Sequence, residues 1–176
     1  MKSEPQIREL HPDEFAALGQ LMVEVYASLP GFPSPQEQPR YYETLANIGR
    51  FSEKPGVQVL VALGAGNELM GGVVYFSDMA QYGSGGTATS EVNAAGIRLL
   101  GVSPQYRGRG VGKALALACI ARARESGRGQ VILHTTEAMQ VAWKLYEGLG
   151  FVRSTDLDFD QERLPVYGFR RVLESH

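Results

Sequence analysis

The stretch QYRGRGVGKAL, Gln105 to Leu115, sets three glycines and three cations into nine residues and then runs into an apolar segment. Gly108, Gly110 and Gly112 each weaken a helix by roughly 1 kcal/mol relative to alanine. Yet KALALACIARARES, from Lys113 onward, is rich in strong helix formers. The first turn of a helix leaves backbone N–H groups without internal partners, and Ser, Thr, Asp or Asn normally caps them. None of these lies between Gln105 and Lys113; Ser103, followed by a proline, is the nearest. The donors are left to water or to an external acceptor. Glycines remove the side chains that would hold a bulky group away, and the helix dipole favours an anion there. Arg107, Arg109 and Lys113 add positive charge with no acidic residue among them. The pattern predicts a phosphate cradle; the plainer alternative is a solvated basic turn.

Two common nucleotide cradles do not fit. A Walker A loop requires G-x-x-x-x-G-K-[ST]. Aligned on Gly112 and Lys113, this sequence has Arg107 at the first glycine and Ala114 at the metal-binding hydroxyl. A dinucleotide fingerprint, G-x-G-x-x-G, started at Gly108 would place its third glycine at Lys113. No metal is implied.

Outward from this stretch, the chain reads as an ordinary globular protein. Its 176 residues predict one domain, 1–176, burying about 70% of its unfolded surface around one core. Apolar residues make up 44% and charged residues 20%, with a formal charge of −2. That balance argues against general nucleic-acid binding, including through ARARESGRGQ. No apolar run is long enough to cross a membrane, and MKSEPQIREL lacks the apolar centre of a signal peptide. The one cysteine, Cys119, lies within ALALACIA and reads as a small buried hydrophobe, so no internal disulfide is available and a cytoplasmic location is the default.

Periodicity supplies the elements. PDEFAALGQLMVEVYASL carries Phe15, Leu18, Met22, Val25 and Tyr26 at helical spacing after the start signals Pro12 and Asp13. PGFPSP breaks the chain, and QEQPRYYETLANIG predicts a second helix. VQVLVAL and LMGGVVYFS flank GAGN as an antiparallel hairpin. DMAQYGSGGTATSEVNAAG is long and polar, as expected of a lid or binding loop. IRLLGVS is a strand leading into the opening stretch and its helix, which SGRG stops. QVILHT reads as a strand covered on both faces. EAMQVAWKLYEGLG is a helix ended by glycines, and FVR and LPVYGFRRVL are final strands around the acidic loop STDLDFDQE. The order α, α, β, β, β, α, β, α, β, β implies a mixed sheet with helices on both sides.

RLLGVSPQYRGRGVGKAL resembles the acetyl-CoA-binding motif of the GNAT N-acetyltransferase superfamily, [RQ]-x-x-G-x-[GA], with Arg107, Gly110 and Gly112 in register. VILHTTEAMQVAWKLYEGLGFVR resembles the family's second motif, with Ala142, Tyr146 and the GLGF ending in register. Together the motifs span about residues 97–153. The resemblance implies an α/β (α+β) fold: a mixed, mostly antiparallel sheet of six to seven strands with helices on both faces.

It also implies site residues. Backbone N–H groups of Arg107, Gly108, Arg109, Gly110, Val111, Gly112 and Lys113 would hold the diphosphate of acetyl-CoA. Leu100, Gly101 and Val102 lie where the family's bulged strand pairs with the pantetheine arm, and a backbone N–H near Val102 would polarise the acetyl carbonyl. Tyr146 aligns with a tyrosine near the sulfur, as general acid to the departing thiolate. Read without the motif, Met139, Ala142, Trp143 and Tyr146 are a helical core stripe; Trp143 keeps that reading. The glutamate that many relatives carry on the strand before Arg98 is missing from NAAGIRL, leaving Glu91, Asp78 and His134 as candidate bases, or ordered water with no dedicated base. Met139 stands where the family often has asparagine.

The implied activity is acetyl transfer from acetyl-CoA to a primary amine of a small molecule or peptide, by direct attack, because Cys119 is poorly placed as a covalent relay. Phe32, Tyr41 and Tyr42 are candidate walls for the acceptor; Glu37, Glu43 and DLDFDQE would offer an acidic wall if the acceptor were polycationic. A homodimer is compatible with this reading. The alternative is a non-catalytic acyl-CoA-binding or sensing module, motivated by the missing carboxylate.

Overall fold

A computed structural model describes residues 4–83, 85–161 and 163–173. Eight strands alternate with four α-helices: β1 (Gln6–Glu9), α1 (Phe15–Ala27), α2 (Pro39–Ala46), β2 (Val57–Leu63), β3 (Leu69–Phe76), β4 (Ala94–Val102), α3 (Val111–Glu125), β5 (Gln130–Thr135), α4 (Gln140–Gly148), β6 (Val152–Arg153), β7 (Phe159–Gln161) and β8 (Leu164–Val172). The strand order is β1-β2-β3-β4-β5-β8-β6, with β7 paired to β8. Only β4 and β5 run parallel, joined across α3; the other pairings are antiparallel. The mixed, mostly antiparallel sheet is therefore as expected, with two more strands than the six read individually. β1 carries a single apolar residue, Ile7, and β7 is three residues long, so neither shows a period-two pattern.

The period of two sorts side chains to the two faces of the sheet. Val59, Val61, Val74, Phe76 and Ile132 pack with Leu18, Met22, Tyr42 and Leu45 from α1 and α2. Leu60, Val73, Val131 and Leu133 pack with Leu115, Cys119, Ile120 and Tyr146 from α3 and α4. Interleaving of the two sets along β2 and β5 explains why apolar residues run consecutively over 59–63 and 131–133.

Glycine ends both helices of the second layer. At the end of α3, Gly127 adopts φ +72°. Its N–H reaches the Arg124 carbonyl, and the Arg128 N–H reaches that of Ala123. Gly150 (φ +90°) and Phe151 repeat this arrangement after α4 on Glu147 and Tyr146. Both closures satisfy carbonyls that the last turn would orphan.

The segment 78–96 is not the free lid its composition suggested. Asp78 accepts a hydrogen bond from the Ala80 N–H at 2.8 Å, and Met79, Tyr82 and Ala88 are fully buried among α1, α2 and the sheet. Ser84 of this segment and Glu162 of the acidic loop lie outside the described residues, as do 1–3 of the N-terminal segment. In the acidic loop, Leu157 is buried and Asp156 and Asp158 pair with Arg170 and Arg153.

The first layer depends on a close crossing of α1 and α2 at Gly19, where a Cβ would lie 2.0 Å from the Ala46 carbonyl oxygen. Backbone cannot yield as a flexible side chain can. Gly19→Ala is expected to destabilise the fold by about 2 kcal/mol and to lower Tm by roughly 4–8 °C. An unchanged melting curve would show that α1 and α2 have room to separate.

Candidate active site

The site begins where two parallel strands part. β4 and β5 pair from Ala94 with Gln130 to Ile97 with Leu133, and no further. β4 continues to Val102 against β3 alone, with a register shift opposite Gly72–Val74. The extra residue falls at Leu99, whose φ is +59°. A non-glycine residue in this region costs on the order of 1–2 kcal/mol. Burial of the Leu99 side chain in the α1–α2 layer offsets it, and Tyr26 of α1 donates to the Leu100 carbonyl at 2.8 Å. A bulge bends its strand, so β4 diverges from β5. Residues 98–102 present a backbone edge with no strand partner on that side.

The parted strands lead to the uncapped helix. Gly108 and Gly110 both adopt φ +77°, which favours glycine, and a Cβ on either would meet no atom within 4 Å. Gly110 is the N-cap of α3 and supplies no side-chain cap. The first N–H of the turn with a partner is that of Ala114, bonded to the Gly110 carbonyl at 2.9 Å. Among the described residues, no N–H from Arg107 to Lys113 has an acceptor. Arg107, Arg109 and Lys113 are exposed, and none forms an ion pair there; Arg109 lies over the Tyr106 ring at 5.5 Å. Unsatisfied donors, positive charge and a dipole end coincide, which is the chemistry of an anion cradle.

A cavity of about 80 Å³ opens where β4 leaves β5. Tyr146 from α4 lines it, only 5% exposed, and makes no hydrogen bond with another described residue. Burial pushes its phenol well above the ordinary value, so it stands protonated at neutral pH. Thr136, also in the wall, has a buried hydroxyl with no partner, a group that a polar chain laid along the cleft would satisfy. Leu100 belongs to the same wall. Phe32, Tyr26 and Tyr41 form an aromatic cluster with ring centroids 5.6–6.0 Å apart, and all three face the cavity. Tyr42 does not; its hydroxyl is tied to the Pro33 carbonyl at 2.7 Å.

The three candidate bases fare differently. Glu91 lies outside the cavity wall, three residues before β4 and at the end remote from the cradle, and is paired to Arg170 at 2.6 Å. Asp78 caps its own turn. His134 does line the cavity, but both ring nitrogens are engaged. Nε2 lies 2.9 Å from the Leu157 carbonyl, which can only accept, so Nε2 carries the proton. Nδ1 then accepts from the Tyr82 hydroxyl at 2.9 Å. The structure therefore brings Tyr146 to the cavity and leaves Glu91 out of it. Trp143 packs edge-on to Phe169 at 4.9 Å, as core. Cys119 is fully buried and burial raises its thiol to about 12, which leaves no thiolate for a covalent relay.

Arg98, Tyr82, Thr136 and Phe159 were not read as site residues from the sequence. Arg98 carried one signal, a charge inside the apolar run GIRLLG; Phe159 comes from the unread strand β7.

Burial lowers the His134 pKa below its unfolded value. Below about pH 6.5 the unfolded chain then binds the additional proton, and stability falls with pH. Thermal midpoints between pH 7.5 and 5.5 are expected to drop less for His134→Gln than for the unmodified protein. Equal slopes would mean the ring gains its proton without cost.

Residues 20–151 match the acetyltransferase (GNAT) family. Among curated proteins, a mycothiol acetyltransferase of Thermobispora bispora is 48% identical over 59 residues, 34% of this chain and 20% of that protein. The mouse probable N-acetyltransferase family 8 member 5 is 44% identical over 55 residues, 31% of this chain and 24% of its own length. The matched stretches thus span about a fifth to a quarter of these relatives. Among solved structures, a GNAT-family acetyltransferase of Staphylococcus aureus Mu50 superposes with a TM-score of 0.73 at 18% identity, covering 97% of this chain and 99% of that one. The PaiA N-acetyltransferase of Thermoplasma acidophilum, in complex with coenzyme A, gives 0.72 at 19% identity, covering 97% and 100%. In no described helix is there a stretch long and apolar enough to cross a membrane. With more than half its length matched to that family, the chain is a member of the GNAT acetyltransferases.

Proposed function

We propose that this chain, acting as one unit over residues 1–176, transfers an acetyl group from acetyl-CoA to a primary amine by direct attack. The observation that carries this reading is the continuity of three features. The unpartnered N–H run at Arg107–Lys113 adjoins the free edge of β4, and that edge leads to the cavity holding Tyr146.

The donors of the turn bind the diphosphate of the cofactor, with Arg107, Arg109 and Lys113 adding long-range attraction. Leu100, Gly101 and Val102 offer backbone groups to an extended amide chain, as a sheet edge does to an added strand. When bound, acetyl-CoA supplies an activated thioester. A C–N bond forms from the amine as the C–S bond breaks; the amine gives up a proton and the thiolate gains one. Tyr146, held protonated by burial, gives the hydrogen bond or proton that the thiolate needs. No described carboxylate lines the cavity, and His134 is engaged on both nitrogens, so the amine's proton leaves by water.

Thiol release from acetyl-CoA in the presence of a mixed amine panel tests this. Tyr146→Phe is expected to lower kcat about tenfold or more, with little change in acetyl-CoA affinity. Unchanged turnover in that variant would return Tyr146 to a packing role. Acetyl-CoA binding without thiol release on any amine would favour the acyl-CoA sensing module instead.

A further inference from the structure

Among the described residues of the cavity wall, one side chain is charged at neutral pH: Arg98, half-buried in the middle of β4. Its Nη1 donates to the Tyr82 carbonyl at 2.9 Å, its single side-chain hydrogen bond to a described residue. The guanidinium lies 5.7 Å from the Phe51 ring centroid and 5.8 Å from that of Tyr82, which restricts its orientation. No described carboxylate lies within ion-pair distance of it. Arg153 and Arg170, by contrast, lie outside the cavity wall and are ion-paired, Arg153 to Asp158 and Arg170 to Glu91 and Asp156.

Arg98 is therefore a preset guanidinium with donors to spare, facing a small cavity walled by Tyr26, Phe32, Tyr41 and Phe159. Desolvated guanidinium pairs best with a planar oxyanion that accepts two parallel hydrogen bonds. A cation in the wall also repels an ammonium and favours the neutral amine, the form that attacks a thioester. We propose that the acceptor is an amino carboxylate with an apolar side group, its carboxylate paired with Arg98. This inference rests on the acetyl-transfer reading and narrows its acceptor. It also accords with the lack of a carboxylate among the described residues of the wall: one there would cancel Arg98 and hold the amine protonated.

The test uses free L-amino acids and the matching C-terminal amides, in thiol-release kinetics with acetyl-CoA and in calorimetric titrations without it. Acids bearing apolar side chains are expected to exceed their amides by about tenfold or more in kcat/KM and in affinity. Arg98→Met keeps the packing of the stem and should erase that preference by raising KM for acids more than for amides, with acetyl-CoA affinity retained. Arg98→Lys should restore part of it. Amides equal to acids, a preference that survives in Arg98→Met, or failure of every acid to bind in calorimetry would each overturn the proposal. If acids bound selectively but acetyl-CoA did not bind, the acetyl-transfer reading would fall and the role of Arg98 would stand.

Discussion

Parallel pairing of β4 and β5 ends at Ile97 and Leu133, and the rest of the site depends on that ending. An uninterrupted ladder would seal the cavity and spend the edge of β4. The strands part because β4 carries one residue too many for its register with β3, taken up at Leu99 in a left-handed conformation. Such strain persists only when its surroundings over-determine it. Here they do: Leu99 is buried in the α1–α2 layer, and Tyr26 holds the next carbonyl. The close approach at Gly19 brings α1 and α2 near enough to complete that layer. Packing on one face thus holds open a cleft at the centre of the sheet.

Commitment of the polar groups then sorts structure from function. His134 and Tyr82 satisfy each other, and His134 also holds Leu157, which positions the loop before β7. Glu91, Asp156 and Arg170 form an ion-paired group at the other end of β4. Arg153 and Asp158 do the same beside Trp143 and Tyr167. Among the groups left without described partners are the N–H groups of Arg107–Lys113, the Thr136 hydroxyl and most donors of Arg98; the buried Tyr75 hydroxyl and Arg128 Nε, away from the cavity, are two more. The first three follow the line from the cradle to the cavity. A buried donor without a partner is costly, and the proposed function gives those between the cradle and the cavity an acceptor-rich ligand.

How much of this was legible in the sequence depends on the range of the interaction. The cradle was readable because its cause is local: glycines at positions 108 and 110 and the missing cap are properties of consecutive residues. The α3 and α4 stops were readable for the same reason. β1 and β7 were not, since each is defined by its partner strand and too short to show alternation. The segment 78–96 misled because composition reports polarity, whereas the buried anchors that precede β4 in it, Met79, Tyr82 and Ala88, are spaced without a period. Glu91 looked like a base from its nearness in sequence to β4. The strand runs away from Glu91 toward the cradle and leaves Glu91 at its opposite end, where it pairs with Arg170.

The proposed function requires that the uncapped start of α3 bind the cofactor's diphosphate through its backbone. Amide chemical shifts recorded during titration with coenzyme A, and separately with pantetheine, which lacks the diphosphate, test it most directly. Large shifts are expected for the N–H groups of Gly108 to Lys113 with coenzyme A and small ones with pantetheine, while residues 98–102 respond to both. Coenzyme A binding that left the amides of 108–113 unmoved would contradict it.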